Sequence, residues 1–504
     1  MTGEKRREML PGRKAAPVRL GRVLVLGLGK SGRAAADYLI PLIGTRVDAL
    51  AVAAGAPNDD ALAWAEEARA RGAVVAFDHE AIEGSYDLCV ASPGISERSA
   101  FYRSAAAASA EVVSEVELAW RESAADARWV AVTGTNGKTT TTSLIAHVLR
   151  GAGMDAVAVG NIGDTCIGAV GAGGAAVYVA ETSSYQLAST RDFAPDVAVV
   201  LNITPDHLAW HGSHEAYAAA KWKVLANLAR TPGAVAVLDA VDDAVRERVR
   251  ALRAQDPAER GFAYVPLGTA RGLGFDMRAA CGSDNAAFVA PDGTLTVALG
   301  AEERRLCRVD DLKVRGDHNV ANALAAASAA LALGAPADAV AAHLASFAPL
   351  EHRIEPCGAV AGVECYNDSK ATNVDATLVA LTAFPGRRLT VLLGGRDKGT
   401  DLAPLVAACR DRARAVVCFG EARERFLDAF GGPSAPEGAE GLAVLEAAGM
   451  EAALDAALAG AAAGDVVLLS PACASFDEFS CFEERGDVFR SLVAARARKA
   501  AEAR

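Results

Sequence analysis

The stretch Val130–Ser143, VAVTGTNGKTTTTS, constrains the fold of this 504-residue chain more than any other. A mostly apolar run, Trp129–Val132, predicts a buried strand, and the turn Thr133–Gly137 leads from it into an apolar helix. A strand, a glycine turn and a helix N-terminus together direct backbone N–H groups and the positive end of the helix dipole at one point, which suits phosphate. Lys138 adds positive charge there, and the hydroxyl of Thr139 is suited to Mg²⁺.

This loop differs from the common GxxxxGK[ST] phosphate loop. Val132 stands where that pattern has its first glycine, so the loop is the shorter GTNGKTT. The alternative interpretation is a helix that is simply capped by Thr133 or Thr135 after a glycine turn. A lysine and two threonines directly after the glycine favour phosphate binding over this alternative.

Composition excludes some classes of protein and leaves others open. The formal charge of −12, from 51 basic and 63 acidic residues, argues against a nucleic-acid-binding protein. Ten cysteines with no CxxC pair are typical of free thiols in a cytosolic protein. The first 19 residues contain no apolar segment of the signal-peptide type, so we expect a loose tail. The alanine-rich stretch Ala323–Ala337 is shorter than a membrane span and predicts a core helix.

The first part of the chain reads as a Rossmann-like unit. A predicted strand, Val23–Leu26, is followed by GLGKSG and by a helix from Arg33 to Ile40. The second strand, Arg46–Val52, ends without the acidic residue that a dinucleotide site would need, which argues against NAD binding. A further strand, Tyr86–Ala91, ends in the turn SPGI, where a ligand could meet the backbone.

The central part alternates strands and helices, which predicts a mostly parallel sheet whose ligands gather at the carboxyl ends of its strands. The predicted strands are Ala156–Val159, Ala176–Glu181, Val197–Asn202 and Ala234–Leu238. Polar residues stand at or just after three of these ends, namely Asn161, Glu181, Asn202, Asp206 and His207. Glu181 is a candidate Mg²⁺ ligand beside the phosphate loop, the alternative being a helix cap or a salt-bridge partner. Lys221 follows Tyr217 by four residues on one helix face and, by itself, reads as a solvated lysine.

Beyond the central strands the pattern predicts a hairpin and then a polar helix start. Ala287–Val289 and Leu295–Leu299 flank the turn Pro-Asp-Gly at 291–293. Asn319 and Asn322 lie on one face at the start of the following helix, where their amides suit an adenine edge or a ribose. Helix capping is the alternative role for both asparagines.

The last part, from about Pro349, reads as a second Rossmann-type unit. In the segment YNDSKATN, Asp368, Lys370 and Thr372 alternate, so we expect one extended face to carry a carboxylate, an ammonium and a hydroxyl. The predicted strands of this unit are Leu389–Leu393, which ends in LGGRDKG, Ala415–Phe419 and Asp465–Leu469.

At this point the motifs resemble a known family. TGTNGKTT, HNVANALAA, the pair His352-Arg353 and YNDSKATN resemble the Mur ligases, ATP-dependent enzymes that form amide bonds in bacterial peptidoglycan synthesis. GLGKSG, SPGI, GNIG, ETSSYQL and LSPACASFDEFSCFEERGDVF resemble the branch of that family that adds D-glutamate to UDP-N-acetylmuramoyl-L-alanine. The resemblance runs from about Gly21 to the C-terminus.

The resemblance implies an α/β protein of three domains. These are a Rossmann-like UDP-binding domain at 20–126, a central P-loop domain with a parallel sheet and ATPase function at 127–349, and a Rossmann-like domain for glutamate at 350–504, after a tail at 1–19. In the family the third domain rotates to complete the site. We expect a cytoplasmic monomer that binds no nucleic acid, does not insert into a membrane and takes ATP, two Mg²⁺ ions, UDP-N-acetylmuramoyl-L-alanine and D-glutamate.

The resemblance also implies a role for each matching residue, and the sets are named here together. ATP would be held by Gly134, Thr135, Asn136, Gly137, Lys138, Thr139, Thr140, Asn319, Asn322, Arg353 and Asp368. The two metal ions would be held by Thr139 and Glu181, and by His207 and Lys221 as its carbamate. The UDP-sugar would meet Lys30, Ser31, Gly94, Asn161 and His207. Glutamate would meet Lys370, Thr372, Lys398, Ser475, Phe476 and Phe482. Lys138, Glu181, His207 and Lys221 would be the catalytic set.

Overall fold

A computed structural model describes residues 8–78, 81–269, 283–397, 399–434 and 441–502 of the chain. It divides the chain into two compact units, one of residues 1–311 and 321–346 and one of residues 312–320 and 347–504. The boundaries at 126 and 349 expected from the resemblance remain predictions. The expected α/β class is confirmed, because three sheets, each mostly or wholly parallel, alternate with helices along the chain.

The first unit contains a five-stranded parallel sheet near its N-terminal end. Its strands have the order β3-β2-β1-β4-β5, which places β1 at the centre. Their bounds are β1 Gly21–Leu26, β2 Val47–Ala53, β3 Val74–Ala76, β4 Leu88–Ala91 and β5 Val112–Ser114. This is the Rossmann-like arrangement that GLGKSG predicted.

A nine-stranded sheet forms the rest of the first unit. Its order is β14-β13-β12-β11-β10-β9-β6-β8-β7, parallel from β7 to β12, with the hairpin strands β13 and β14 antiparallel. The bounds are β6 Arg128–Thr133, β7 Ala156–Gly160, β8 Val177–Glu181, β9 Val197–Val200, β10 Val235–Asp239, β11 Ala263–Gly268, β12 Ala286–Val289, β13 Thr294–Leu299 and β14 Glu302–Arg308. The phosphate-loop strand β6 lies between β8 and β9, so their polar carboxyl ends flank the loop.

The second unit is built on a six-stranded sheet of order β15-β16-β20-β17-β18-β19, in which only the edge strand β15 is antiparallel. The bounds are β15 Glu355–Val360, β16 Val363–Asn367, β17 Leu389–Gly394, β18 Ala415–Phe419, β19 Ala443–Glu446 and β20 Val466–Leu469. The central strands β17, β18 and β20 are buried throughout, as continuous apolar runs in a parallel sheet require.

Helices cover these sheets. The α-helices are Lys30–Leu39, Asp59–Ala70, Ala100–Ala108, Glu115–Glu122, Lys138–Gly151, Cys166–Gly171, Ser184–Ala188, Leu208–His211, His214–Trp222, Asp243–Arg253, Pro257–Arg260, Asp317–Ala332, Ala337–Ser346, Val374–Leu381, Ala403–Arg412, Arg423–Phe430, Met450–Ala459 and Phe482–Glu502. The predicted core helix is confirmed, since Ala323–Ala330 are fully buried or nearly so within Asp317–Ala332. Across the described residues, no helix has both the length and the apolar character that crossing a bilayer demands. The nine described cysteines are free thiols.

The N-terminal segment corrects one expectation. Residues 8–19 do not form a loose tail but pair with the chain between the two sheets of the first unit. Lys14 N donates to Ser123 O at 2.9 Å, Ala15 N donates to Arg121 O at 3.0 Å, and Ala16 is fully buried. The lack of an apolar segment did not exclude this pairing, because a short segment that pairs through backbone hydrogen bonds needs no apolar pattern.

Candidate active site

The phosphate loop has the backbone that its glycines allow. Gly134 and Gly137 have φ values of +156° and +84°, a region that residues with a Cβ rarely adopt. A Cβ on Gly137 would also lie 2.8 Å from Asn322 Oδ1. Gly137 directly precedes the helix Lys138–Gly151, which has no side-chain cap. The capping role for Thr133 or Thr135 is therefore wrong, because no side chain caps this helix.

Asn202, at the end of β9, fixes the shape of this loop. Its carbonyl oxygen accepts a hydrogen bond from Thr135 N at 2.8 Å. Its side chain accepts from Asn136 N at 2.7 Å and donates to Asn136 O at 3.1 Å. The sequence placed Asn202 at a strand end without assigning it a role.

Thr135 faces inward from the loop rather than toward an open ligand position. Its hydroxyl lies 2.9 Å from the hydroxyl of Tyr217 and 3.1 Å from Thr204 O. Thr204 N donates back to the same oxygen at 3.0 Å. The side chain of Thr135 thus ties the loop to the helix His214–Trp222, which also carries Lys221.

Two lysine side chains, those of Lys138 and Lys221, donate to the same carbonyl oxygen of the phosphate loop. Lys138 Nζ donates to Gly134 O and to Thr135 O, both at 2.8 Å. Lys221 Nζ donates to Gly134 O at 2.7 Å and lies 4.7 Å from the ring centre of Tyr217. Lys221 is 1% exposed, so its reading as a solvated helix lysine is wrong. Burial, reinforced by the charge of Lys138, lowers the pKa of Lys221 well below its ordinary value.

Glu181, at the end of β8, is buried beside these lysines. Asn161 Nδ2 donates to its Oε1 at 2.7 Å, while Oε2 is buried and accepts no hydrogen bond. A buried carboxylate oxygen without a partner is costly unless a cation or donor completes it. This residue set therefore fits a hard cation such as Mg²⁺, with a hydroxyl and phosphate oxygens as further ligands. In the described chain no three His, Cys, Asp or Glu side chains form a preassembled metal cluster, so such a site needs ligands of other types.

His207 stands at a strained position in front of the helix Leu208–His211. Its φ is +54°, and Asp206 accepts from its backbone N–H at 2.8 Å. The ring lies 4.8 Å from that of Tyr185, and its Nε2 is 3.4 Å from Asp206 Oδ2. A histidine held in the left-handed region at the edge of a ligand-binding loop is a typical functional outlier.

His211 is a site residue that the sequence reading missed. Its Nε2 lies 2.9 Å from Ser184 Oγ, and its ring stacks 5.6 Å from that of Tyr185. Burial, with the nearby charges of His207 and Lys221, lowers the pKa of His211 to about 4, so its ring is neutral. The available signal was the spacing of four between the two histidines, which places both near one helix face.

The loops of the first sheet reach the same region. A Cβ on Gly32 would lie 2.0 Å from Gly27 O, which explains why GLGKSG needs its last glycine. Lys30 begins the helix, three residues earlier than expected, and its Nζ donates to Gly163 O in the GNIG loop. Ser96, just past SPGI, donates to Trp210 O at 2.9 Å. Among the candidate UDP-sugar residues Lys30, Ser31, Gly94, Asn161 and His207, Lys30 thus contacts the loop that carries Asn161, and the segment after Gly94 contacts the helix that follows His207.

The two helix-start asparagines have different partners. Asn322 Oδ1 accepts from Thr141 Oγ1 at 3.0 Å, on the phosphate-loop helix. Asn319 Nδ2 donates to Arg315 O at 2.7 Å, which is not a capping contact, because a helix N-cap accepts from a backbone N–H. Their roles toward adenosine remain predictions.

In the second unit, Asp368 is buried at the end of β16. Its oxygens accept from Ser470 Oγ at 2.8 Å and from Ile354 N at 3.3 Å. Burial raises the pKa of Asp368 to about 7, against the opposing effects of Ser470 and of Arg353.

The expected alternation of Asp368, Lys370 and Thr372 on one extended face is wrong. β16 ends at Asn367, and the chain then turns, with Ala371 N donating to Asp368 O and Thr372 N to Lys370 O. The turn forms because Arg485 holds its backbone: Nη2 of Arg485 donates to Ser369 O at 2.8 Å.

Arg485 is the second residue that the sequence reading missed. It is 1% exposed, and it also donates to Ser369 Oγ at 2.9 Å and to Cys473 O at 3.1 Å. Its Nη1 is buried without a hydrogen-bond partner, and burial lowers its pKa to about 10. A charged residue inside the run SCFEERGDVF was the available signal.

The candidate glutamate residues are partly assembled. Lys370 Nζ lies 3.6 Å from the ring centre of Phe482, a cation–π contact. Ser475 is 2% exposed, whereas the side chain of Phe476 is 61% exposed. Lys398 lies outside the described residues. Its neighbour Arg396 donates from Nε to Glu421 Oε2 at 3.0 Å, so that arginine anchors the loop.

The chain is similar to known proteins over almost its whole length. A family model described as the Mur ligase middle domain matches residues 132–330, and one described as the Mur ligase glutamate ligase domain matches residues 352–473. The UDP-N-acetylmuramoylalanine–D-glutamate ligase of Salinibacter ruber is 39% identical over 485 residues, which cover 94% of this chain and 98% of that protein. The chain belongs to the Mur ligase family.

Further relatives agree with this Mur ligase assignment. The enzymes of the same name from Pelotomaculum thermopropionicum and Thermobifida fusca are 36% and 37% identical, each over 94% of this chain and 97% and 98% of their own lengths. A pseudomurein peptide ligase type C from Methanothermus fervidus and a UDP-N-acetylmuramate–alanine ligase from Thermotoga maritima share the fold. Their TM-scores are 0.54 and 0.51 at 17% identity, with 94% of this chain and 99% of theirs covered. The expected Mur ligase architecture is thereby confirmed.

Proposed function

We propose that this chain joins D-glutamate to UDP-N-acetylmuramoyl-L-alanine and converts ATP to ADP and phosphate, a step in the synthesis of peptidoglycan precursors. The relatives that carry this name match almost the whole chain. The observation in the structure that supports it best is the pair Lys138 and Lys221 at Gly134 O, beside the buried Glu181. We expect the reaction to run in the cytoplasm, where ATP is available.

The triphosphate end of ATP is proposed to occupy the phosphate loop. Residues 134–140 supply backbone N–H groups and the Lys138 ammonium to the phosphates. Asn319, Asn322, Arg353 and Asp368 are the proposed contacts of adenosine. Since Asp368 already accepts from Ser470 and Ile354, we expect it to orient the segment around Arg353 as well as to face the ligand.

Two Mg²⁺ sites are proposed. Thr139 and Glu181 would hold one ion, and the unpartnered Oε2 of Glu181 supports that assignment. His207 and Lys221, as its carbamate, would hold the other. A lysine amine reacts with carbon dioxide only when neutral, and the lowered pKa of Lys221 meets this requirement. When bound, the ions neutralise charge on the phosphoryl group that is transferred.

The nucleotide sugar is proposed to lie along the contacting loops of the first unit. Lys30, Ser31 and Gly94 would face its UDP part, and Asn161 and His207 its sugar. The hydrogen bond from Lys30 to Gly163 O supports this placement, because it brings a cation beside the GNIG loop.

Glutamate is proposed to meet the second unit. Two lysines suit a dicarboxylate, and these are Lys370 and Lys398. Thr372, Ser475, Phe476 and Phe482 are the further candidates. The turn that Arg485 holds at Ser369 O would set the position of Lys370.

The chemistry that these groups support is acyl phosphate formation followed by aminolysis. A carboxylate oxygen of the alanyl group attacks the γ-phosphorus of ATP, and the bond to ADP breaks. The glutamate amine then attacks the acyl carbon, loses a proton, and phosphate leaves from the tetrahedral adduct. Carboxylate and triphosphate repel each other, so Lys138 and the positioning of both substrates contribute most of the catalysis.

The test is phosphate release from ATP with Mg²⁺ and UDP-N-acetylmuramoyl-L-alanine, in parallel reactions with D-glutamate, L-glutamate or no amino acid. We expect release with D-glutamate only. Release with L-glutamate alone would keep the chemistry and change the product. Full-rate release with neither amino acid nor nucleotide sugar would refute the ligase assignment.

A further inference from the structure

The loop Gly160–Thr165 in the first unit is fixed at three points. At its start, Asn161 Nδ2 donates to Glu181 Oε1 at 2.7 Å, and Asn161 N donates to Glu181 O at 3.0 Å. In its middle, Gly163 O accepts from Lys30 Nζ. Just beyond its end, Ile167 N donates to Glu115 Oε1 at 2.6 Å. The loop thus connects the first sheet to the carboxylate proposed as a metal ligand.

Glu115 differs from the other two anchoring residues, because it belongs to none of the proposed metal or substrate sites. It is the first residue of the helix Glu115–Glu122 and is 1% exposed. Its Oε2 is buried and has no hydrogen-bond partner. A carboxyl group in such a place costs free energy, so a well-packed apolar residue would stabilise the fold better.

We infer that Glu115 is a positioning residue for the proposed reaction: through Ile167 and the loop Gly160–Thr165 it holds Asn161, and thereby Glu181, in register with the GLGKSG loop. This inference rests on the proposed function, since Glu181 matters as a metal ligand there. Removal of Glu115 frees the loop at Ile167, so the hydrogen bond from Asn161 to Glu181 is held less firmly. The carboxylate of Glu181 then loses orientation rather than chemistry.

The protonation state of Glu115 gives the arrangement a pH dependence. Burial raises the pKa of Glu115 to about 7, and the charge of Lys30 and the backbone N–H groups of Ile167 and Cys166 oppose that rise. Lys30 on the first-sheet helix and the Cys166 thiol on the loop helix are the ionisable groups that face it. Above that pH the ionised Oε2 lies buried without a partner, and we expect the anchor to loosen.

The experiment compares the wild-type enzyme with Glu115→Ala and Glu115→Gln in the full chain. We expect Glu115→Ala to raise the KM for Mg²⁺ about tenfold, with a smaller change in kcat. Loss of a residue that orients a metal ligand weakens metal binding by about this factor. Glu115→Gln keeps an acceptor for Ile167 N, so we expect its KM at pH 6.5 to stay within about twofold of wild type. Between pH 6 and pH 8 the KM of wild type should rise relative to that of Glu115→Gln.

Thr165→Val is the matched control. It removes the Oγ1 cap that accepts from Gly168 N at 3.2 Å on the same short helix but leaves the Glu115 contact. We expect its KM for Mg²⁺ to rise less than that of Glu115→Ala, which separates anchoring by Glu115 from general weakening of the helix.

Hydrogen exchange provides a readout that does not depend on turnover. In Glu115→Ala the amide of Ile167 should exchange faster, together with those of the loop Gly160–Thr165. An unchanged KM in a folded Glu115→Ala, or a Glu115→Gln variant with the same pH slope as wild type, would overturn the inference. A wild-type chain without ligase activity would instead refute the proposed function, and the exchange of the loop amides would then decide the inference alone.

Discussion

Lys138 and Lys221 donate hydrogen bonds from Nζ to the same acceptor, the carbonyl oxygen of Gly134, at 2.8 and 2.7 Å. Two ammonium groups at one oxygen would repel each other strongly in a buried place. The lowered pKa of Lys221 resolves this, because burial and the charge of Lys138 both favour its neutral amine. Burial next to Lys138 therefore makes the Lys221 amine easier to deprotonate than that of an exposed lysine.

The first prediction concerns carbamate formation at Lys221. With ¹³C-labelled bicarbonate we expect a carbamate carbon resonance in the wild-type protein, because burial lowers the pKa of the Lys221 amine and so raises the fraction that is neutral and able to react. Lys221→Ala should lack that resonance. Lys223→Ala, which changes a lysine two residues away that donates to Ala188 O, should retain it. A resonance that persists in Lys221→Ala would show that another amine carries the modification.

The second prediction concerns Lys138. We expect Lys138→Ala to lower kcat by about two to three orders of magnitude, because it removes the cation nearest the proposed phosphate position. The control is Arg150→Ala at the other end of the same helix, whose side chain donates to Ala156 O at 3.3 Å. Steady-state phosphate release and circular dichroism test both variants. A folded Lys138→Ala with wild-type turnover would contradict the phosphate-loop assignment.

The third prediction concerns Asn202. We expect Asn202→Ala to weaken ATP binding by roughly tenfold, because the two side-chain hydrogen bonds to Asn136 each contribute about 1 kcal/mol and part of that loss is recovered by water. Calorimetric titration with a non-hydrolysable ATP analogue measures the effect. Asn227→Ala is the control, since Asn227 bonds Arg191 O and Phe193 O instead of the loop. Equal affinities of the two variants would refute a role for Asn202 in loop shape.

The fourth prediction concerns the pH dependence of stability. Asp239, at the end of β10, is buried, and burial raises its pKa to about 7. The native chain therefore keeps a proton between about pH 4 and pH 7 that the unfolded chain releases, so the free energy of unfolding falls as pH rises through that window. Asp239→Asn should remove this dependence and be more stable than wild type at pH 8 by a few kcal/mol, at about 1.4 kcal/mol per pKa unit.

Urea unfolding at pH 4.5 and pH 8 tests this fourth prediction. The two proteins should unfold at similar urea concentrations at the lower pH and diverge at the higher one. Asp243→Asn changes a carboxylate whose side chain is 95% exposed, and it should leave the pH dependence as in wild type. A constant difference between Asp239→Asn and wild type across pH would exclude the proposed linkage.

Most of the strands and their polar ends could be predicted from the sequence. Each apolar run that predicted a strand forms one, with ends that differ by at most two residues, because buried parallel strands have short apolar runs between turn residues. The positions of the glycines in the phosphate loop were equally local, since only glycine adopts the φ of Gly137 without strain, whereas the hold of Asn202 on the loop backbone depends on the fold. Position after a strand was enough to select Glu181 and His207 as candidates.

The local sequence pattern gave wrong predictions where a residue far away in the chain fixes the backbone conformation. The segment after Asn367 reads as a strand by alternation, but Arg485, more than a hundred residues later, holds Ser369 in a turn. The N-terminal segment reads as a tail, but its backbone pairs with Ser123 and Arg121. Neither partner can be inferred from neighbours in the chain.

By itself the sequence determined the α/β class, the three sheets and the residue types at the strand ends, because these follow from local periodicity and turn chemistry. Only the tertiary structure decided the pKa of Lys221, which the sequence pattern predicts to be an ordinary solvated lysine on a helix. Burial against Tyr217 and the nearness of Lys138 are properties of packing. A pKa depends on desolvation and on charges that the fold brings together. Neither can be predicted from the residues next to the lysine in the sequence.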